Sequence, residues 1–403
     1  MNEEIPMRKI KYLLLLIPLF LVACFQPPTP NVAEVIESAD PTTIIPLSNA
    51  RTNTYYRTAL PFISSPTRGL VYEHIRNRSD IWQVEASLMR LATDFFDPET
   101  YFLRDGQNLS REFVSSLLRY QNPEPEFLFE SPRGLNPPIG TVLQFGDRSF
   151  EISAEIGDGE RIRPFAYLLE QNFVAIEQNE EGDNEFVLEG VAIALALNPF
   201  YWERDFTRGF EDTHEMSEEY ILEIGKDIAT QLLPLLRQQE ALAEVPILIG
   251  LFVLRPENSV LPGHFASITF VEEGRSSIRE WRPVHERFFT LPDRTNTIHT
   301  LNVDINDQFI SFRDTIDHHF PHSHGIVGTA HFVNNNLYRL EITVNMSFWG
   351  ATEKIAFFQL LEEHVMIFSH EFDVSIIVRN IDTPLGAVNR PPGEEASVIK
   401  LSW

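Results

Sequence analysis

The fold is decided by residues 186–197, which read FVLEGVAIALAL. A long, mostly apolar run of this kind predicts a strand that is buried inside the protein. Around it we predict helices over residues 165–176 and 215–242, the second with Ser217 as its N-cap, and a strand over residues 246–254. Helices alternating with apolar strands predict an α+β unit.

The last third of the chain repeats this order. It predicts helices over residues 307–319 and 351–369, and strands over 325–333, 337–348 and 372–378. The segment Val191–Leu195 (VAIAL) and the segment Leu340–Val344 (LEITV) are each followed by a predicted helix. This order suggests a duplicated α+β unit, but the residue-level match is slight and the duplication is left open.

The part before residue 160 is richer in helix and loop. We predict a helix over residues 80–92, a helix over 111–120 with Ser110 as its N-cap, and a proline-rich loop over 121–138. The expected fold class is α+β, with mixed sheets and packed helices. The expected divisions are a signal peptide (1–23), a lipidated cysteine with a flexible tether (24–52), an N-terminal helical and loop-rich part (53–160), a first α+β unit (161–300) and a second (301–403).

Composition excludes several classes of protein. The 403 residues are 43% hydrophobic and 22% charged, which is ordinary for a globular protein and excludes wholesale disorder. The formal net charge is −26, from 58 acidic and 32 basic residues. Such a surface repels phosphate backbones, so we expect no nucleic-acid partner.

The N-terminus has the layout of a bacterial export signal. Arg8, Lys9 and Lys11 precede the apolar run at residues 12–23, which is too short to span a bilayer comfortably. The run ends in Leu21-Val22-Ala23-Cys24, the apolar-apolar-small-Cys pattern of a lipobox. We therefore predict cleavage between Ala23 and Cys24, with lipid attached to Cys24. Met7 is an alternative start that would remove the acidic residues ahead of the basic region.

Cys24 is the single cysteine of the chain, which excludes an internal disulfide and a cysteine-based zinc cage. Two or three acyl chains on this residue would hold the protein durably at the membrane. Residues 25–50 are rich in proline and threonine and predict a semi-extended tether. The expected location is the extracytoplasmic face of the cell membrane, with the lipid on Cys24 as the membrane contact.

Several separated stretches resemble one known family. They are Tyr56–Pro61 (YRTALP), Ser65–Tyr72 (SPTRGLVY), Tyr101–Leu109 (YFLRDGQNL), Gly134–Pro137 (GLNP), Leu188–Asn198 (LEGVAIALALN), Pro262–Phe265 (PGHF) and Gly325–Gly328 (GIVG). In this order they resemble the CamS family of sex pheromone lipoproteins from Gram-positive bacteria. The resemblance covers residues 55 to 380.

The resemblance implies that the signal peptide is the functional product. Trimming it would release a short apolar peptide, here Ile17–Ala23. Such a peptide would be sensed by a peptide-pheromone receptor in plasmid-bearing cells, which then aggregate and transfer DNA by conjugation. The folded body is expected to be non-enzymatic and to need no cofactor.

The residues themselves offer little catalytic chemistry, since the chain contains no nucleophile elbow, phosphate loop or zinc-protease motif. One histidine-rich segment, residues 317–324, could bind zinc or copper through His318, His319, His322 and His324. We favour a solvated helix end, where imidazolium groups suit the helix dipole. The adjacent acidic pairs are interpreted as solvated surface.

Three functional hypotheses follow, in descending order. The first is an anchored, non-enzymatic lipoprotein whose leader is a signalling peptide. The second is an extracytoplasmic module that binds a small ligand or a cell-wall fragment. The third is a cell-wall hydrolase, which would require a cleft with converging carboxyl groups of unequal acidity.

Overall fold

The computed structural model describes residues 56–400, apart from residues 59–61, 155–160, 179–183, 206–209, 296, 303 and 322. The predicted signal, lipobox and tether lie outside the described residues. The described helices are α1 (Arg68–His74), α2 (Arg78–Ala92), α3 (Arg111–Leu117), α4 (Glu218–Arg237), α5 (Ile305–His319) and α6 (Ala351–His364). Among them, none is long and apolar enough to cross a membrane.

The predicted helix starts are confirmed by their caps. The side chain of Ser110 accepts the backbone N–H of Phe113, and that of Ser217 accepts the N–H of Tyr220. A serine oxygen here replaces a partner that the first turn of a helix lacks. The helices predicted to reach residues 242 and 369 end earlier and continue as short 3-10 turns at Glu240–Leu242 and Val365–Ile367.

Two large mixed sheets carry the fold. The first has the strand order β1 (Arg57–Thr58), β2 (Phe102–Asp105), β7 (Phe165–Gln178), β8 (Asn184–Leu197), β11 (Ile247–Val253), β12 (His264–Val271) and β13 (Arg282–Pro283). The second has the order β14 (Glu286–Leu291), β15 (Ser323–Val333), β16 (Asn336–Met346), β17 (Asp373–Asn380), β18 (Thr383–Arg390) and β19 (Ser397–Lys400). Short ribbons pair β3 (Tyr120–Gln121) with β4 (Glu130–Ser131), β5 (Val142–Phe145) with β6 (Arg148–Glu151), and β9 (Phe200–Asp205) with β10 (Phe210–Glu215). The fold class predicted from the sequence, α+β with mixed sheets, is confirmed.

One predicted helix is a strand, and a short ribbon lies inside a predicted loop. Tyr120–Gln121, where the helix predicted over 111–120 meets the loop predicted over 121–138, pairs with Glu130–Ser131. Residues 165–176, predicted as a helix, lie in the central strand β7, whose first ten residues are all buried. A strand covered on both faces loses the alternation of apolar and polar residues, so its run of large apolar side chains also fits a helical period. Pairing decides the outcome: β2, which is distant in sequence, lies on one side of β7, and β8, the next strand of the chain, lies on the other.

The two sheets contain the same four-strand unit. β7 and β8 are antiparallel, β8 and β11 are parallel, and β11 and β12 are antiparallel. β15, β16, β17 and β18 pair in the same three ways, and a helix joins the parallel strands in both units, α4 in the first and α6 in the second. The duplication suggested by the sequence order is therefore present in the sheet topology.

The irregularities of the two units also coincide. If Val191 is aligned with Leu340, as the sequence suggests, both hairpins shift register at equivalent places: Phe173/Val174 corresponds to His331/Phe332, and Phe165/Tyr167 to Ser323/Gly325. The strand after each helix shifts at Leu251/Phe252 and at Val378/Arg379, which are equivalent as well. The three shared bulges favour a common origin of the two units, because the position of a bulge is typically conserved among related folds.

The first sheet is covered on both faces. α2 packs against β7, β8, β11 and β12, and Gly190 lies under Phe96, which follows α2. The residues alternating with Gly190 along β8 are Ala192, Ala194 and Ala196, all fully buried. Small side chains on this face allow the helix to approach closely, while α4 covers the opposite face, where Gly225 meets Leu197 and Leu251.

Within the part of the chain that the structure describes, α5 and α6 pack on one face of the second sheet. Its inward side chains, such as Leu340, Ile342 and Val344 of β16, are fully or almost fully buried against α5 and α6. The alternating residues Glu341 and Thr343 are not buried. This alternation is typical of a sheet with one solvated face.

Strand pairing crosses the domain boundaries predicted at residues 160 and 300. β2 pairs with β7, and β14 pairs with β15. The N-terminal part therefore contributes to the first sheet, and the second sheet recruits a strand from before residue 300. The limits of the independent folding units stay a prediction.

Candidate functional site

The site residues predicted from the sequence are only partly described. Ala23 and Cys24 lie outside the described residues, as does His322, and the side chain of His324 is not described. His318 and His319 are exposed at the end of α5, and His319 Nδ1 lies 2.9 Å from the carbonyl oxygen of Thr315. Among the described residues, no group of three or more candidate ligands is placed to hold a metal ion.

Several residues of the stretches that resemble the CamS family form buried hydrogen bonds that hold loops to the first sheet. The carboxylate of the buried Glu170 in β7 accepts the backbone N–H groups of Asn108 and Leu109, at 3.0 and 3.1 Å, and the side-chain amide of Asn108. A Cβ on Gly106 would lie 2.5 Å from Cβ of Glu170, so this position favours glycine. The stretch Tyr101–Leu109 is thereby tied to the first sheet.

Two more of these stretches have the same role. Asn136 is fully buried, donates to the carbonyl oxygens of Leu118 and Phe165, and accepts the N–H of Phe165 at 2.9 Å. Gly263 donates its N–H to the buried carboxylate of Asp80 at 2.6 Å. These residues therefore hold loops to the first sheet through buried hydrogen bonds.

A groove lies where α2 faces the open side of the second sheet. Its volume is about 540 Å³, and its walls come from α2, the loop before β12, and strands β14 to β17. On α2 the lining residues share one helical stripe: Ser79, Trp82, Gln83, Ala86, Ser87 and Arg90. The apolar stripe of the same helix, which includes Val84 and Leu88, belongs to the core of the first sheet.

The inner wall of the groove rests on a buried carboxylate. Glu286 Oε1 accepts from Ser87 Oγ at 2.9 Å, from Arg90 Nη2 at 3.0 Å and from His331 Nε2 at 2.8 Å. Its Oε2 accepts the backbone N–H of Phe265 at 3.0 Å. Burial alone would raise the pKa of Glu286, but the hydrogen bond from His331 and the charge of Arg90 outweigh it and lower the pKa to about 2.

Aromatic side chains line the groove around this carboxylate. The ring of Phe288 stacks on His331 with centroids 4.3 Å apart, and Tyr338 meets the same imidazole edge-on at 5.3 Å. On the rim, Trp82 is 72% exposed and Val260 is 76% exposed. Large apolar side chains left open beside polar groups are typical of a binding surface.

The floor of the groove continues onto the open face of the second sheet. Arg339, Glu341 and Arg379 line it, and Arg339 is held by Asp373 at 3.0 Å. The equivalent face of the first sheet is the Gly190–Ala196 face that α2 covers. The second unit therefore exposes polar groups where the first unit buries small ones.

The buried acid beside the groove is fully engaged by protein donors. Glu286 has every carboxylate oxygen occupied and is held ionised, which suits neither proton donation nor nucleophilic attack. The groove was not predicted from the sequence. The signal in the sequence was the second stripe of α2, with Trp82 and Arg90 among small polar residues, on a helix that already had a complete apolar stripe.

Solved structures share this fold. A sex pheromone precursor from Lactobacillus salivarius subsp. salivarius UCC118 superposes with a TM-score of 0.73 at 21% identity, covering 89% of this chain and 99% of that one. The C-terminal domain of the sex pheromone staph-cAM373 precursor from Staphylococcus aureus gives a TM-score of 0.65 at 21% identity, covering 82% and 99%. No curated protein matches the sequence.

The family comparison agrees with the motifs and the fold. Residues 62–396 match the family model described as CamS sex pheromone cAM373 precursor. This range contains both four-strand units, the buried hydrogen-bonding residues Glu170 and Asn136, and the groove. The chain therefore belongs to the CamS sex pheromone cAM373 precursor family.

Proposed function

We propose that this chain is the precursor of a short apolar peptide pheromone and that Ile17–Ala23 is the active segment. The proposal rests on the family match over residues 62–396, together with the lipobox that ends at Cys24. Signal cleavage before Cys24 would leave the peptide in the membrane, and one further cut after Leu16 would free it. The peptide is uncharged in its side chains, which suits passage through the wall and binding in an apolar groove.

The folded body is proposed to remain at the outer face of the membrane through lipid on Cys24. Its surface carries most of the −26 formal charge, which suits a solvated location above the headgroups. This body is proposed to have no enzymatic role in releasing the peptide. The peptide then promotes plasmid transfer through a receptor in the responding cell.

Mass spectrometry of the culture medium tests the release step. Cells producing the full chain should release the Ile17–Ala23 peptide, and cells producing the Cys24→Ala variant should not, because that variant offers no thiol for lipidation. The mature N-terminus should carry the mass of a diacylglyceryl group on Cys24. Absence of the peptide from both cultures would contradict the proposal.

A second assay tests signalling. The synthetic Ile17–Ala23 peptide is added to plasmid-bearing cells, and aggregation and transfer frequency are counted. A peptide of the same composition in scrambled order is the matched control. Equal responses to the two peptides would remove the pheromone role and leave the folded body as the functional part.

The groove supports a second candidate function, the binding of a small ligand or a wall fragment. The carrying observation is the exposed Trp82 beside Tyr338 and the polar floor. A defined disaccharide-pentapeptide from peptidoglycan is titrated into the full chain by calorimetry. Trp82→Ala should weaken binding, whereas Tyr72→Ala, which removes an aromatic side chain of similar exposure on α1, should not.

A further inference from the structure

A second cavity, of about 380 Å³, lies at one edge of the first sheet. Asn198, which follows β8, and Leu254 and Arg255, which follow β11, line it. β8 and β11 are parallel, so their carboxyl ends meet at this edge. The carboxyl ends of parallel strands are where sheets of this kind commonly hold ligands.

Positive charge is concentrated in this cavity. Four arginines line it: Arg76, Arg161, Arg163 and Arg255. The chain has only 32 basic residues against 58 acidic ones, so such a cluster is not a consequence of composition. Like charges placed together raise the free energy of the folded state unless an anion joins them.

The carboxylates of the same cavity are already engaged. Glu73 pairs with Arg111 at 2.8 Å. Asp80 is fully buried and accepts the backbone N–H groups of Arg255 at 2.9 Å and Gly263 at 2.6 Å. Neither acid forms a described ion pair with the arginines of the cavity.

Aromatic rings lie against three of the guanidinium groups. Arg76 lies over Trp202 at 5.1 Å, Arg161 over Phe129 at 3.7 Å, and Arg163 over Tyr120 at 5.8 Å. Arg76 also pairs with Glu257 at 3.8 Å, and Arg161 Nη2 donates to the carbonyl oxygen of Ala154 at 3.4 Å. A stacked guanidinium uses its flat face and keeps its N–H edge for an oxyanion. Within the described residues, the buried Nε atoms of Arg161 and Arg163 have no hydrogen-bond partner.

The positive charge of the arginine cluster acts on the pKa of the neighbouring His74. Burial lowers the pKa of this imidazole, and the positive charge of Arg163 lowers it further. A nearby anion would reverse the second effect. Glu73 acts on the pKa of His74 in the opposite direction, and the effect of Arg163 is the larger of the two.

The second unit provides an internal comparison. In the alignment set by the shared bulges, Asn198 and Leu254 correspond to Ser347 and Ile381, which line a cavity at the same place in the second sheet. Arg255 corresponds to Asp382, and the described lining of that cavity contains one arginine, Arg379. The arginine cluster thus belongs to the first unit and is not dictated by the repeated fold.

We propose that the cavity binds a phosphate group, as a mono- or diester, through Arg161, Arg163 and Arg255. Tetrahedral phosphate offers several oxygens to converging guanidinium edges, which form paired hydrogen bonds with it. The volume exceeds that of a phosphate alone, so the organic part of an ester also fits, beside the ring of Trp202.

Isothermal titration calorimetry of the full chain tests the proposal, in detergent for the soluble probes and with the detergent removed for the vesicle titrations. Inorganic phosphate and glycerol 3-phosphate are the soluble probes, and vesicles of phosphatidylglycerol, compared with phosphatidylcholine, are the lipid probe. One phosphate ester should bind per chain. Arg163→Gln should weaken binding about tenfold or more, because a charged hydrogen-bond donor is lost.

Arg255→Gln guards against a folding defect, since Arg255 is exposed and interacts with Asp80 and Glu218 only through its charge among the described contacts. Arg313→Gln removes an arginine of α5 that pairs with Asp314 and is the matched control, with unchanged affinity expected. Binding of soluble esters lost in the cavity variants supports a free ligand, and vesicle binding lost in the same variants supports a headgroup. No binding of any probe, or equal affinity of Arg163→Gln, Arg255→Gln and the parent chain, would overturn the proposal.

Discussion

The buried carboxylate of Glu286 allows a quantitative test of the groove. The substitution Glu286→Gln keeps the shape of the side chain and removes its charge. In the structure the carboxylate is fully buried and accepts from Ser87, Arg90, His331 and the backbone of Phe265. The neutral amide turns its NH₂ group toward one of these donors, and Arg90 loses its counter-charge.

The magnitude follows from the pKa. Folding lowers the pKa of Glu286 from 4.5 to about 2, and each unit corresponds to about 1.4 kcal/mol. The ionised carboxylate therefore contributes about 3 kcal/mol to the free energy of unfolding above the unfolded-state pKa. This contribution is lost as the pH falls from about 5 towards about 2, because the unfolded chain then takes up the proton more readily.

Urea unfolding followed by tryptophan fluorescence, at pH 7 and at pH 3, measures the effect. At pH 7 the variant should be about 3 kcal/mol less stable than the parent, and at pH 3 the difference should shrink to about 1 kcal/mol. Glu341→Gln is the matched control, because that acid lies in the same groove but is 59% exposed, and its change should stay below about 1 kcal/mol. Equal losses for Glu286→Gln at the two pH values would refute the reasoning.

Three further predictions concern the scaffold, each measured as a change in the free energy of unfolding. Glu170→Ala should cost about 3 kcal/mol, since it leaves buried N–H groups of the 101–109 stretch without an acceptor, and a loss below about 0.5 kcal/mol would contradict the fastening role. Gly190→Ala should cost about 1–3 kcal/mol, because the new Cβ would lie 2.1 Å from Phe96 Cε1; an unchanged midpoint would show that α2 moves away freely. Ile342→Ala, facing the helices, should cost about 3 kcal/mol, whereas its neighbour Thr343→Ala on the open face should cost less than about 1 kcal/mol, and similar losses would argue that the open face is covered.

Helices and strands could be predicted where the signal lies within their own sequence. Ser110 and Ser217 each precede an amphipathic stretch, and both cap a helix as expected. The apolar run at residues 186–197 lies in a strand that is buried from Gly190 to Leu197. The repeated order around Val191 and Leu340 pointed to the duplication that the sheet topology shows.

The strand over residues 165–178 was not predictable from its own sequence. Its large apolar side chains fit both periods, and pairing with β2 and β8 removes the ambiguity. The groove and the arginine cavity were unpredictable for a similar reason, because their lining residues are distant in sequence. The tertiary fold brings Trp82 and Tyr338 into one groove, and it brings Arg76 and Arg255 into one cavity.

The amino-acid sequence specifies local patterns: the helix caps, the apolar core strands, the ordered stretches that resemble the CamS family, and the lipobox-like pattern before Cys24, from which lipidation is predicted. Only the tertiary structure decided which faces are covered. α2 packs its apolar stripe on the Gly190–Ala196 face of the first sheet, and the equivalent face of the second sheet stays open beside the other stripe. The physical reason is that a local period specifies which side chains share a face, whereas the occupant of that face is chosen by packing between distant segments.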